Sequence, residues 1–403
     1  MTNTVKTKIV RVSKRSGLTF FDKRKAYFFP LLLACILSVL FLLIVGRKNP
    51  FTAIRYIFEG TFYITDAGVL SSSRLLTFGK NAIVLLWIAL ALAPCYKRRY
   101  WNIGGQGQVL IGSLLTAACR IYLPSTMPNA LAVLISAVAA AIGGALWSYI
   151  PAIFKAKWNT NETLFTLRRN YLALLLVQLA TNIWRGTKSS LGQLNISSRF
   201  GWFYQIPQTA MKNTFLNSNV FFPLIFVLLL CVLRFVYIKF TKHGYERTVV
   251  GESLSTARYT GINVRHVIRR TAALSGLLCG LIGFLSVSNF NHTVSTISDF
   301  GYGFTAVIVC WLSNFNPFAM IGYSSLLVFF ERGAKNLSDS QYAAPYLNEY
   351  STQFIIFAII LALMRATFFL HYEIKIALPG HSKRRKKRLT KGLLLPSAVK
   401  EAR

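Results

Sequence analysis

The chain has 403 residues, of which 54% are hydrophobic, and it carries a net charge of +34 with a mean hydropathy of +0.46. This composition excludes a soluble globular domain and is typical of a polytopic membrane protein. The surplus of Lys and Arg also raises the possibility of a nucleic-acid-binding protein, so the position of the charges along the chain decides between the two classes.

Long apolar segments follow one another through most of the chain. A helix needs roughly 20 residues to cross about 30 Å of hydrocarbon, and ten segments approach that length. We therefore predict an all-α fold with about ten transmembrane helices (eight to ten), the eighth being short enough to be re-entrant. No small-residue cleavage site follows the first segment, which we interpret as an uncleaved helix. The segments cover residues 26–45, 80–96, 107–123, 129–153, 167–184, 219–240, 268–287, 303–313, 316–331 and 352–371.

Basic residues concentrate on one side of the predicted membrane. With the N-terminus inside, 30 of the 46 Lys and Arg fall in inner segments and 11 in outer segments. The positive-inside rule explains this bias and puts both termini in the cytoplasm, so no nucleic-acid partner is needed. The basic run at 383–388 is an anchor for this topology and a contact for anionic lipid. The predicted regions are a basic tail (1–25), a transmembrane domain (26–372) with a cytoplasmic loop (241–267) and an outer loop (185–218), and a second basic tail (373–403).

The sequence contains no motif of a catalytic or metal site. There is no G-x-x-x-x-G-K-[ST], H-E-x-x-H or G-x-S-x-G, and the six cysteines are scattered through apolar segments without a C-x-x-C pair. We therefore predict that the chain is not an enzyme and needs no metal, cofactor or disulfide. A carrier driven by protons or sodium usually has an ionisable site within its spans, and the few acidic residues do not form one.

A short polar helix is predicted within the cytoplasmic loop, in the stretch VVGESLSTARYTGINVR (249–265). Ser253 is suited to cap its N-terminus, because a Ser side chain accepts from the unpaired N–H groups of a first turn. Gly261 is suited to end it in the left-handed conformation. The helix offers Arg258 and Tyr259 to a cytosolic partner. The alternative is a helix that rests on lipid headgroups.

Glycines interrupt two apolar segments, in WNIGGQGQVLIG (101–112) and GYGFTAV (301–307). A helix break is tolerated in a membrane only beside protein or a water-filled cavity. If spans 2–5 and 7–10 are two related halves of inverted topology, the breaks fall at matching places, the first facing inside and the second outside. Paired breaks of this kind indicate the solute path. The alternative is that these glycines only allow close packing of helices.

Four stretches of the sequence together resemble one protein family. The permease subunits of bacterial nucleoside and simple-sugar ABC importers, the partners of basic-membrane-protein-type lipoproteins, carry similar stretches in the same order, and the resemblance runs from about residue 26 to 372. NPFTAIRYIFEG (49–60) and FGWFYQIPQTA (200–210) also fit it. The four stretches are NIGGQGQ (102–108), NETLFTLRRNYLA (161–173), GESLSTARYTGINVRHVI (251–268) and GYGFTAVIVCWLSNFNPFA (301–319).

The resemblance implies a mechanism and a set of site residues. Two such permeases, identical or homologous, assemble in the bacterial plasma membrane with two cytosolic ATP-binding subunits, and a lipoprotein delivers the solute from outside. The loop helix at 252–261 would transmit ATPase closure, with Glu252, Arg258, Tyr259 and Gly261 as coupling residues. The residues implied along the solute path are Asn102, Gln106, Gln108, Asn170, Tyr302 and Phe304.

The sequence departs from the family pattern at several places. Gln106 replaces a usual Glu, Thr305 lies where Asp is frequent, and Ser253 with Leu254 replaces Asn-Pro. Arg168 and Arg169 stand where apolar residues are usual, so an anionic or less polar solute becomes conceivable. The function alternatives are an ion-coupled secondary transporter, which lacks its ionisable site, and a non-transporting membrane scaffold, which leaves the loop helix unexplained.

Overall fold

A computed structural model gives the fold of the protein and divides the chain into two compact units. One unit is formed by Met1–Ile44 and Phe357–Arg403, and the other by Val45–Ile356. The described residues are 10–14, 32–33, 36–37, 40, 50–64, 71–96, 100–124, 126–184, 194–195, 220–291, 293–294, 301–339, 361–362 and 372–376.

The larger unit is built almost entirely of helices. Its helices are α1 (Pro50–Glu59), α2 (Ser72–Tyr96), α3 (Gly105–Tyr122), α4 (Asn129–Trp158), α5 (Glu162–Trp184), α6 (Phe221–Phe240), α7 (Lys242–Glu252), α8 (Leu254–Tyr259), α9 (Val264–Leu285, continued by a π-helix over Ser286–Asn291), α10 (Tyr302–Leu312) and α11 (Pro317–Asp339). The two-residue strands β2 (Leu194–Asn195) and β3 (Thr293–Val294) pair antiparallel.

Eight of the ten predicted apolar segments coincide with helices, namely α2 to α6 and α9 to α11. The predictions for 26–45 and 352–371 lie almost wholly outside the described residues. Four described helices are long and apolar enough to cross a membrane: α2, α4, α6 and α9 with its π-helical extension. The chain is thus a mostly helical membrane protein, as the composition predicted.

The smaller unit contains strands where the sequence predicted only charged tails. Strand β1 (Val10–Lys14) pairs antiparallel with β4 (Tyr372–Ile376), with Val10 opposite Ile376 and Lys14 opposite Tyr372. The all-α prediction is therefore wrong for these ten residues. Valine and isoleucine alternate with polar residues in both strands, which is the pattern of a half-exposed β-ribbon.

Helix α9 forms the centre of the larger unit because glycines allow it to approach two neighbours closely. A Cβ atom on Gly276 would overlap the carbonyl oxygen of Gly144 in α4, and one on Gly280 would overlap that of Ala140. A Cβ atom on Gly112 in α3 would lie 2.7 Å from the Cα of Gly280. Small residues four apart permit such backbone contact between membrane helices, where dispersion forces replace the hydrophobic effect.

Burial separates the central helix from the peripheral one. In α9 with its extension, 72% of the most apolar 18-residue stretch is buried, whereas in α6 the share is 17%. Helix α6 has bulky residues around most of its circumference, and it exposes Ile225, Leu229 and Leu233. An apolar helix that is exposed in this way belongs against lipid or another apolar partner.

Replacing one central glycine tests this packing. We expect Gly276→Ala to lower the melting temperature of the purified protein, since overpacking costs about 1–3 kcal/mol. Gly322→Ala is the matched control, because a Cβ atom there meets nothing within 4 Å and alanine favours a helix by up to about 1 kcal/mol. Thermal unfolding followed by tryptophan fluorescence measures both. Equal melting temperatures for the two variants would contradict the close contact.

Candidate functional site

The chain breaks between α2 and α3, in the glycine-rich stretch that the sequence analysis singled out. Residues 100–104 are not helical, and Asn102 within them is fully buried. The Asn102 side-chain oxygen accepts from the backbone N–H of Gly104 and from Nε2 of Gln108, both at 3.1 Å. Its amide nitrogen lies 3.4 Å from Oγ of Ser275 in α9. Asn102 therefore fastens the break to the central helix.

Helix α5 supplies a second amide that holds the same break. Oδ1 of Asn170 accepts from the N–H of Gly107 at 2.9 Å, and Nδ2 donates to the carbonyl of Ile103 at 2.9 Å. Gly107 lies in the first turn of α3, where a backbone N–H has no partner within the helix. Asn170 thus replaces hydrogen bonds that an uninterrupted helix would have made itself.

Three of the residues predicted along the solute path are consequently internal. Asn102, Gln108 and Asn170 are 0%, 1% and 2% exposed, and their hydrogen bonds hold the α2–α3 break together. In this conformation these side chains are buried supports of the break and do not line a surface. Oε1 of Gln108 is buried without a hydrogen-bond partner among the described residues.

The second predicted break lies before α10. Gly301 has a φ of +75°, in the left-handed region that favours glycine, and the helix begins at the next residue. Helix α10 has 11 residues and is therefore about 16 Å long, too short to cross the membrane alone. The prediction that the eighth segment is short is confirmed.

The structure brings the two breaks into contact. A Cβ atom on Gly303 in α10 would lie 2.7 Å from the Cβ of Gln106 in α3. The indole rings of Trp101 and Trp311 stack with their centroids 5.4 Å apart. The prediction that the two breaks face opposite sides of the membrane stays a prediction.

Four side chains beside this contact form what we call the aromatic–amide surface: Trp101, Gln106, Phe304 and Trp311. Phe304 and Trp311 are seven residues apart and share one face of α10; they are 50% and 43% exposed. Gln106 is partly exposed, and Trp101 is 42% exposed. The sequence analysis missed the two tryptophans, although exposed aromatic residues beside helix breaks were a visible signal.

Tyr302 points away from this surface. Its side chain is buried, with only 2% exposed. Among the predicted path residues, only Gln106 and Phe304 are therefore partly or fully exposed. The two unusual arginines also differ from each other. Arg168 is exposed, whereas Arg169 is buried with its guanidinium carbon 3.8 Å from the centre of the Trp147 ring.

The loop predicted to be cytoplasmic contains two helices instead of the single helix predicted at 252–261. Glu252 is the last residue of α7, and α8 covers only Leu254–Tyr259. Ser253 separates them, and its side chain accepts from the N–H of Thr256 at 3.2 Å. The predicted N-cap is confirmed, and such a cap contributes about 1 kcal/mol.

The end of α8 also follows the prediction. Gly261 has a φ of +75° and donates its N–H to the carbonyl of Arg258 at 3.1 Å, while Ile262 donates to Ala257 at 2.9 Å. This pair of bonds is a Schellman motif, which requires a left-handed residue after the helix. Ala257 and Ile262 join the same apolar cluster as Val250 and Val267, so the short helix is attached firmly at its inner face.

The outer face of α8 is open. Ala257 is its one buried residue, whereas Leu254, Arg258 and Tyr259 are exposed, Tyr259 by 94%. A tyrosine that lies so far out contributes nothing to the packing of this chain. Arginine and tyrosine are the residue types that most often dominate protein–protein interfaces.

Helix α7 ties this loop to the membrane helices. Glu246 forms an ion pair with Arg270 of α9 at 3.0 Å. The guanidinium of Arg247 lies over the ring of Tyr237 in α6, 4.7 Å from its centre. Burial lowers the pKa of Arg247 from its usual value, because a buried cation loses hydration. A displacement of α8 would therefore reach both α6 and α9 through direct contacts.

Similarity to known proteins shows the family of this chain. Residues 75–364 match the family model described as branched-chain amino acid transport system, permease component. No solved structure matches the chain significantly. The described residues contain no cluster of three or more His, Cys, Asp or Glu that could hold a metal ion.

Three characterised relatives are similar along most of their length. The guanosine ABC transporter permease protein NupP of Bacillus subtilis is 26% identical over 62% of this chain and 70% of its own. The glucose ABC transporter permease protein TsgB13 of Haloferax volcanii is 27% identical over 61% of this chain and 62% of its own. The nucleoside ABC transporter permease protein NupB of Lactococcus lactis is 25% identical over 68% of this chain and 76% of its own.

The family match extends over most of the larger unit, including both helix breaks and the cytoplasmic loop. Family membership supports the ABC permease over the secondary transporter and the scaffold. ATP hydrolysis in such systems is carried out by a separate subunit, so this chain is not itself an enzyme. The chain belongs to the permease family of branched-chain amino acid transport systems and is an integral membrane subunit of an ABC transporter.

Proposed function

We propose that this chain forms the solute path of an importer for nucleosides or simple sugars. The observation that carries the proposal is the contact of the two helix breaks at Gly303 and Gln106, beside exposed aromatic rings. Aromatic rings stack on a nucleobase or on the apolar face of a sugar, and an amide both donates to and accepts from the edges of either solute. The names of NupP, NupB and TsgB13 support the same solute classes.

Nucleosides fit the aromatic–amide surface better than sugars do. The stacked pair Trp101–Trp311 and the adjacent Phe304 offer several wide apolar faces, whereas Gln106 is its one amide. A neutral planar base with a few polar edges matches that ratio of apolar to polar groups. The buried amides of Asn102, Gln108 and Asn170, together with Tyr302, hold this surface in place.

The topology proposed for the chain has ten spans in two inverted halves, with both termini in the cytoplasm. The excess of basic residues in the inner segments supports this orientation. Pairing of β1 with β4 supports it further, because two tails in one sheet must lie on the same side of the membrane. The proposed regions remain two basic tails (1–25 and 373–403) around a transmembrane domain (26–372), with loops at 185–218 and 241–267.

The proposed assembly has partners on both sides of the bacterial plasma membrane. Each of two cytosolic ATP-binding subunits contacts the exposed face of α8 in one permease. Arg258 and Tyr259 lie at the centre of this contact and Glu252 at its edge, while Gly261 ends the helix. A second permease, identical or homologous, completes the path. A lipoprotein delivers the solute from outside.

Purification of the tagged chain from mild detergent tests this assembly. We expect a chain with a Walker motif to co-purify, because α8 exposes its docking residues. The co-purifying chains are identified by mass spectrometry. A preparation without an ATPase, repeated in a gentler membrane mimic, would contradict the assembly.

Removing the amide of Gln106 tests the solute path. Gln106→Ala keeps the Cβ atom that faces Gly303, so we expect normal assembly. We expect the KM of uptake to rise about three- to tenfold, which corresponds to the loss of one neutral hydrogen bond. Uptake of radiolabelled nucleoside by reconstituted vesicles measures it. Gln178→Ala is the control, since Gln178 is exposed on α5; unchanged kinetics for Gln106→Ala would remove this residue from the path.

A double substitution tests the coupling role of α8. In Arg258→Ala with Tyr259→Ala, we expect uptake and solute-stimulated ATPase activity to fall at least about tenfold, as at other interfaces centred on such residues. Expression and melting temperature should not change, because both side chains are exposed. The control replaces Lys242 and Tyr245, an exposed cation and tyrosine of α7, by Ala. Stimulation that survives in the first variant argues against coupling through α8.

A further inference from the structure

Two buried arginines of the larger unit have no anionic partner among the residues that the structure describes. Arg234 of α6 and Arg247 of α7 are 9% and 6% exposed, and the ion pairs of the described residues include neither of them. Arg234 donates to the carbonyls of Leu90 and Phe315 and to the sulfur of Met320, at 3.3–3.4 Å. These three acceptors are neutral, and within the described part of the chain the Nε atoms of both arginines have no hydrogen-bond partner. A buried cation normally needs a countercharge.

Both arginines line one apolar cavity. Its volume is about 340 Å³, and Trp87, Leu230 and Leu233 contribute to its wall. Two cations that border one apolar space repel each other more strongly than in water, because such a space screens their charges poorly. An anion between them would remove this repulsion and accept from their free N–H groups.

A second apolar cavity borders the same helix, and we refer to the two cavities together as the groove. A second cavity of about 360 Å³ shares the wall residue Trp87 and extends to Pro223 near the other end of α6. Helix α6 advances about 20 Å between Pro223 and Tyr237, whereas the hydrocarbon of one leaflet is about 15 Å thick. The groove is therefore long enough for an acyl chain, and its charged end lies beside the cytoplasmic loop.

We propose that an anionic phospholipid of the inner leaflet binds here, with its phosphate at Arg234 and Arg247 and one acyl chain along the groove between α6 and α9. Charge complementarity selects an anionic headgroup, and the apolar wall selects a lipid over free phosphate. The site lies on α6, the least buried of the four long apolar helices that the structure describes. The bound phosphate would also fix α7, whose Val250 packs against Ala257 of the loop helix.

Lipid retention by the full-length transporter tests the site. The protein is reconstituted in nanodiscs of phosphatidylcholine with phosphatidylglycerol and then analysed by native mass spectrometry after mild delipidation. We expect the wild type to retain phosphatidylglycerol in preference to phosphatidylcholine. We expect Arg247→Gln to weaken its apparent affinity about tenfold, as expected for one charged hydrogen bond, and Arg247→Lys to restore most of it.

Two further variants separate binding from loss of structure. Leu233→Trp fills the cavity from its exposed side and leaves both arginines in place, so it should also abolish retention. Lys239→Gln removes one exposed cation from the same helix without touching the cavity, so retention should stay as in the wild type. These readouts do not depend on transport, and they therefore remain informative if the proposed solute or coupling role is wrong.

Three results would overturn the proposal. Equal retention of the two lipids would show that headgroup charge does not matter. Wild-type retention by both Arg247→Gln and Leu233→Trp would place the lipid elsewhere. Complete absence of retained lipid would mean that protein covers the groove, either an apolar segment of this chain such as 26–45 or a second permease.

Discussion

The close approach of α9 to α3 and α4 is the contact on which the rest of the structure depends. Gly276 and Gly280 bring the backbones together, because no side chain separates the helices. Ser275, next to Gly276, thereby comes within reach of Asn102, and Trp87 can donate to the carbonyl of Leu278 at 3.0 Å. A larger residue on this face of α9 would displace the amide network that holds the α2–α3 break.

Helix α9 also joins the candidate solute path to the loop that contains α7 and α8. Asn263 caps its first turn by accepting from the N–H of His266 at 3.1 Å, directly after the loop helix ends. Arg270 holds α7, and Ser275 contacts Asn102 one and a half turns later. Loop, central helix and break are therefore linked by direct contacts, which is the physical requirement for a movement at the loop to reach the path.

The aromatic–amide surface has an unusual electrostatic setting. A carboxylate at position 106 would bring a negative charge to this surface, whereas Gln106 is neutral. Arg169 is next to Asn170 in sequence, and its guanidinium carbon lies 3.8 Å from the centre of the Trp147 ring, where the cation interacts with the ring face. Position 106 therefore adds no negative charge to the surface, and the charge of Arg169 is buried, whereas Arg168 is exposed.

The sequence by itself determined the membrane class, most of the helices and both caps of α8. These features depend on local physics: the length of an apolar run, the hydrogen-bonding reach of Ser253 and the left-handed conformation of Gly261. It missed α7 because that helix shows no apolar periodicity. The residues that it buries are Gly244, Arg247 and Val250, of which only the valine is strongly apolar. Only the tertiary structure decided that Asn102, Gln108 and Asn170 are internal supports while Gln106 and Phe304 are accessible. Whether an amide faces a path or a neighbouring backbone depends on residues distant in sequence, here Ser275 and Ile103, which local patterns do not encode.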